Sequence, residues 1–121
     1  MIKALKFVSI PVKEQKKALE FYTDKLGFHV VTDQPMGPGK RWIELGIGNS
    51  PTGVVLFTPD GWENRIGTFS GMSFVTDSVE KTYEELRAKG VDFTNKPEKQ
   101  EWGTMAIFKD IDGNQFVLSS R

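Results

Sequence analysis

The chain has no cysteine and a single histidine, His29. Without thiols there is no disulfide framework, no thiolate nucleophile and no cysteine-bound zinc. One imidazole excludes any site that needs two histidines from the same chain. Net charge is missing as well: 16 basic and 16 acidic residues cancel. A protein that grips nucleic acid through its phosphates carries a basic excess, so no nucleic-acid partner is expected. No apolar run approaches the ~20 residues of a membrane span, and "MIKALKFVSI" lacks both the length and the small-residue cleavage pattern of a signal peptide. No membrane partner is expected, and a cytoplasmic location is the default. A glycine-rich phosphate loop before a helix, a G-x-S-x-G elbow and an H-E-x-x-H helix are also absent.

What is present is a soluble-type composition, 38% apolar and 26% charged over 121 residues, enough for one compact domain with a real core. "LKFVSIPV" (5–12) alternates Val8, Ile10 and Val12 and reads as a strand, with Pro11 near its end. "KEQKKALEFYTDKLG" changes to helical spacing, with Ala18, Phe21, Tyr22 and Leu26 on one face and Gly27 at the stop. "FHVVTD", "RWIELGIG" and "TGVVLFTP" follow as strands, and "DGWENRIGTFS" as a connecting loop. The order then recurs: strand "GMSFVTD", helix "SVEKTYEELRAKG" capped by Asp77 or Ser78, then strands "VDFTN", "WGTMAIFKD" and "NQFVLSS". Gly27 and Gly90 stand 63 residues apart, Glu14 and Ser78 stand 64 apart. So long a period marks a duplicated module rather than a solenoid.

Three stretches, "VKEQKKALEFYTDKLGF", "FVTDSVEKTYEELRAKGV" and "WGTMAIFKDIDGNQF", resemble the vicinal oxygen chelate superfamily, the glyoxalase, bleomycin-resistance and extradiol-dioxygenase group. The resemblance spans essentially the whole chain. It implies an α+β fold of two tandem βαβββ modules, about 4–59 and 70–120 with a connecting loop at 60–69, curled into an incomplete barrel around a cavity. It also implies a homodimer. Metal-using members of this group take four ligands, usually His or Glu, from the first and last strand of each module. Carried over by position, these fall on Phe7, Leu56, Gly71 and Val117. None has a side chain that binds a divalent ion, and the flanking residues hold no His, Asp or Glu. No metal or other cofactor is therefore expected.

Strand alternation extends the list of residues facing the cavity. Phe7 brings Ser9, Leu56 brings Val54, Gly71 brings Ser73, and Val117 brings Gln115 and Ser119. The lining is apolar with small hydroxyls. It suits an uncharged or aromatic ligand, or simply fills a core. In "KRWIELG", Trp42 and Glu44 share a face and offer a ring and an anchor for polar groups. A turn near 36–37 would set His29 opposite Glu44, either as an acid/base pair or as an ordinary cross-strand surface pair. Trp102 precedes a strand and caps a cavity mouth or packs locally. Met36 and Trp62 lie in loops that act as lids or rest on the surface, while "KPEKQE" reads as a solvated face.

Three functions fit. The first is a metal-free binding protein for a small aromatic or amphipathic molecule, in the manner of drug-sequestering bleomycin-resistance relatives. The second is a lyase, isomerase or dioxygenase-type enzyme, lactoylglutathione-lyase-like, working through Glu44 with or without His29 or a non-standard metal site. The third is a dimerisation domain with a vestigial cavity. "KDIDGN" is too short for a calcium loop and lacks its closing Glu. Asp112, Gly113 and Asn114 have hairpin chemistry instead.

Overall fold

The structure, a computed structural model, describes residues 1–120. It divides into two units, Met1–Ile66 and Gly67–Arg121. Each carries one open sheet and one helix, and neither sheet closes into a barrel.

The first unit runs β1 (Phe7–Pro11), α1 (Gln15–Glu20), β2 (His29–Pro35), β3 (Arg41–Gly46) and β4 (Gly53–Phe57). The sheet order is β1-β4-β3-β2, with β1 and β4 parallel and the other pairs antiparallel. The helix between β1 and the rest supplies the crossover that a parallel pair requires. It continues beyond Glu20 as a π-turn, Phe21–Lys25, closed by Leu26 N–H donating to the Phe21 carbonyl at 3.4 Å. Its apolar stripe, Ala18, Phe21 and Tyr22, is buried, as are Ile10, Ile43, Leu45, Val54 and Leu56 of the sheet. Each fully buried aliphatic side chain contributes roughly 1.5–3 kcal/mol. The helix stops at Gly27, whose φ of 76° is left-handed; Gly90, at 90°, does the same in the second unit.

The second unit runs β5 (Phe69–Val75), α2 (Val79–Ala88), β6 (Asp92–Phe93), β7 (Glu98–Gln100), β8 (Gly103–Lys109) and β9 (Gln115–Ser119). Ser78 caps α2, its Oγ accepting from Lys81 N–H at 3.2 Å. Val79, Tyr83 and Leu86 of the helix are buried, as are Ala106, Phe108, Phe116 and Leu118 of the sheet. Phe74, Phe93 and Phe116 all pack against the Phe108 ring or its neighbours at centroid distances of 5.5–6.1 Å. The run "KPEKQE", read as a solvated face, is exposed but also holds β7, which pairs with β8. Three polar residues gave no apolar alternation to announce it.

The hairpin between β8 and β9 is built as its residue types suggest. The buried Asp110 carboxylate accepts from Asp112 N–H and Asn114 N–H, both at 2.9 Å, and from Asn114 Nδ2 at 2.8 Å. Gly113 takes φ of 83° between them. Asn114 Oδ1 in turn accepts from Gly67 N–H at 2.8 Å. Asp110 of "KDIDGN" is structural: its carboxylate oxygens hold the turn that leads into β9.

Candidate functional site

Register assigns the faces of the first sheet. Ser9 pairs with Val55 and Val55 with Glu44, so these three side chains share a face. Phe7 and Trp42 stand two residues from Ser9 and Glu44 and lie on the same side. Their rings meet edge-on, with centroids 5.5 Å apart and planes at 74°. Because β4 lies between β1 and β3, that contact crosses β4 on its open face. This explains why Val55 is buried there without a helix above it. Phe57 completes the face, and Thr32 of β2 stands opposite Glu44.

The opposite face carries Ile10, Leu56 and Ile43 in register, with Val8, Val54 and Leu45 beside them. This corrects one expectation. Val54 and Leu56 do not belong with Phe7, Ser9, Trp42 and Glu44. They are 1% and 0% exposed on the helix side, and Val55 and Phe57 take their place. The physical reason is that "GVVLF" is apolar throughout. Both faces of β4 are covered, and a strand buried on both sides has no alternation to read.

A second expectation also changes. His29 pairs with Gly46, not Glu44, and Thr32 stands opposite Glu44. The imidazole lies over Gly46, where a Cβ would stand 2.3 Å from Nε2. The turn runs from Met36 to Lys40, where Met36 N–H donates to the Lys40 carbonyl, and centres on Pro38; this later turn moves each β3 partner on by three, and the irregularity between Val30 and Thr32 takes back only one.

At one end of the open face lies a cavity of about 270 Å³, lined by Ser9, Gln15, Met36, Trp42, Val55 and Phe57 among others. Gln15 forms its end wall. Its Nε2 donates to the carbonyls of Arg41 (2.6 Å) and Leu56 (3.0 Å), and its Oε1 accepts from Arg41 N–H (3.0 Å). One side chain thus ties the first turn of α1 to β3 and β4. Nothing in the sequence marks Gln15 for this role. Lys40, Arg41 and Leu56 also line the cavity, and its two cations are engaged: Lys40 is paired with Asp60, and Arg41 donates through Nε to Asp33 at 2.9 Å and through Nη2 to its second oxygen. The hydrogen bond to Asp33 raises the Arg41 guanidinium above its ordinary value.

The open face of the second sheet carries Ser73 against Val117 and Val117 against Ile107, with Ser119 paired to Val75 and Met105. Ser73 Oγ and Ser119 Oγ share a hydrogen bond of 2.8 Å. Ser73, Val117, Gln115 and Ser119 therefore share one face, as alternation suggests. Gly71 falls in the irregular stretch between the Phe69 and Ser73 pairings and is exposed. Met105 and Ile107 join this face. The alternation in "TMAIF" carried that signal, with Ala106 and Phe108 turned to the core. Trp102 sits at the β7–β8 turn, 59% exposed, and Trp62 is exposed in its loop. A larger hollow of about 480 Å³, beside α2, is walled mainly by exposed charged chains, including Glu84, Lys96 and Lys99.

The family's divalent metal does not fit these residues. The ligand positions carry Phe7, Leu56, Gly71 and Val117, none with a donor side chain, and Leu56 is turned to the helix side. Among the described residues, no three His, Asp or Glu side chains come together to hold an ion. The shift from Leu56 to Val55 or Phe57 supplies no donor either. Also among the described residues, no helix is long and apolar enough to cross a membrane.

Comparison with known proteins agrees with this architecture. The protein YetH of Bacillus subtilis (strain 168) is 36% identical over 118 residues, 98% of either chain. A Sphaerobacter thermophilus member of the glyoxalase/bleomycin resistance protein/dioxygenase superfamily has a solved structure that superposes with a TM-score of 0.91 at 34% identity, covering 99% of this chain and 98% of that one. TnmS3, an antibiotic binding protein from Streptomyces sp. CB03234, superposes with a TM-score of 0.85 at 31% identity, covering 98% of this chain and 96% of that one. A family profile matches residues 4–118. With the profile match, the sequence identity and the superposition in agreement, the chain belongs to the Glyoxalase/Bleomycin resistance protein/Dioxygenase superfamily.

Proposed function

We propose that this protein binds a small aromatic or amphipathic molecule without a metal, as a cytoplasmic homodimer, and that an antibiotic is one candidate ligand. The observation that carries the reading is the open face of the first sheet. The Phe7–Trp42 ring pair, Ser9, Val55 and Phe57 surround or adjoin a cavity of about 270 Å³, and a single carboxylate, Glu44, stands beside them. An apolar cavity with few polar groups is the usual form of a small-molecule site. TnmS3, with a matching fold at 31% identity, is an antibiotic binding protein, which supports the same ligand class here.

The enzyme reading loses its acid/base pair. Glu44 faces Thr32, and His29 faces Gly46. A glyoxalase-type step stabilises an enediolate with a Lewis acid, and the donor set that would hold one does not fit.

Ligand-induced thermal stabilisation against a library of aromatic antibiotics tests the proposal, since a ligand that binds only the folded state raises the melting temperature by mass action. A variant in which Trp62 and Trp102 are changed to Phe leaves Trp42 as the sole tryptophan of three. Its fluorescence should respond to each stabilising compound. A flat thermal response across the library would overturn the reading.

A further inference from the structure

Glu44 carries more than its place on the cavity-side face. It is half-buried, and among the described residues it has neither a hydrogen bond nor an ion pair. The nearby charges are settled otherwise: Asp33 with Arg41, Asp60 with Lys40. Its face neighbours are Trp42, Val55, Thr32 and, one pair further along, His29 over Gly46. None of these is bonded to it. The half-buried Glu44 carboxylate keeps its acceptor oxygens open to a partner from outside the chain. It stands next to an indole, whose face attracts both planar rings and cations.

We infer that the ligand of this site is a planar aromatic cation, protonated on a ring or amino nitrogen, with the ring against Trp42 and a charged N–H on the Glu44 carboxylate. The inference rests on the small-molecule-binding reading above and narrows it. Ring and charge come from adjacent positions of one strand face, Trp42 and Glu44 being two residues apart on β3. The spacing therefore suits a compact fused ring with its charged nitrogen at or near the ring edge. Lys40 and Arg41 do not oppose such a cation, because Asp60 and Asp33 already neutralise them.

Acridine and 9-aminoacridine separate the two contributions. In mildly alkaline buffer the first is neutral and the second still protonated, on the same three-ring frame. Titration calorimetry with the intact protein should show 9-aminoacridine binding about tenfold more tightly than acridine, as expected of a charge-assisted contact in a partly solvated site. Glu44→Gln should remove this preference, bringing 9-aminoacridine affinity down to about that of acridine. In the unmodified protein, added salt should weaken 9-aminoacridine and not acridine, a readout that does not depend on the variant folding. Equal affinities for the two rings, or a preference retained by Glu44→Gln, would overturn the cationic ligand class while the aromatic-binding reading stands. Failure of both rings to bind would overturn the two together.

Discussion

Leu56 and Phe57 are adjacent in sequence, yet the register assigns them to opposite faces of β4, so their substitutions should fail in different ways. Leu56 is wholly buried and stands between Ile10 and Ile43. Leu56→Ala removes its outer methyl groups and leaves a cavity that β-strand neighbours on both sides prevent from collapsing. Such changes cost about 2–5 kcal/mol. In a chain of this size, 1 kcal/mol moves the melting temperature by roughly 3–5 °C, so a fall on the order of 10–15 °C is expected. The ligand-induced rise in melting temperature should survive, because the core-facing side chain does not meet the ligand. Phe57 is half-buried and lines the cavity. Phe57→Ala should lower the melting temperature less and abolish most of the ligand-induced rise. Differential scanning calorimetry with and without a stabilising compound measures both. If Leu56→Ala eliminated the ligand response while leaving the melting temperature within a few degrees, the Leu56 side chain, and not only its backbone, would face the ligand and the face assignment would be wrong.

Four further outcomes follow from the same geometry. Asp110→Ala leaves three donors, two of them on the buried Asn114, without their shared acceptor; a loss of about 3–5 kcal/mol by urea unfolding is expected. Gly53→Ala would place a Cβ 2.4 Å from the Leu45 carbonyl oxygen, a backbone atom, whereas Gly46→Ala meets only the tip of exposed His29; thermal unfolding should show the first clearly destabilised and the second within about 1 kcal/mol of the parent. Trp42→Ala should suppress ligand binding in calorimetry by about tenfold or more, since it removes one ring of the Phe7–Trp42 pair from the cavity wall. Sedimentation equilibrium should give twice the chain mass if the proposed homodimer forms, and a single chain mass would refute it.

The parts of the fold legible in the sequence are those with contrast. Helix α2 announces itself through a serine cap, apolar residues at helical spacing and a stop glycine, and the structure has Ser78 accepting from Lys81 N–H at 3.2 Å and Gly90 at φ 90°. The β8–β9 hairpin is equally plain from Asp112, Gly113 and Asn114, although the carboxylate that ties it together belongs to Asp110. Strand β9 alternates buried Phe116 and Leu118 with half-buried Gln115, Val117 and Ser119, so its open face could be named before any coordinate. β7 could not: Glu98, Lys99 and Gln100 are all exposed, and what makes them a strand is an edge pairing with β8, a tertiary fact.

The candidate site lost its legibility at β4 and β2, for opposite reasons. In β4 every residue after Gly53 is apolar because both faces are covered, one by the helix side of the unit and the other by the Phe7–Trp42 pair. A one-residue slip in such a strand costs nothing in pattern and inverts its meaning. In β2 the pattern was mixed, and the turn into β3 centres on Pro38 rather than at 36–37, which moved Glu44 from His29 to Thr32. The correction at β4 makes the site more consistent, not less. With Val55 and Phe57 turned outward, the ring pair has an apolar floor. Glu44 is then a single carboxylate in aromatic and aliphatic surroundings, where a partner from outside the chain would stabilise it most. A metal site would have needed several such donors converging; one alone beside an indole matches a ligand that brings its own positive charge.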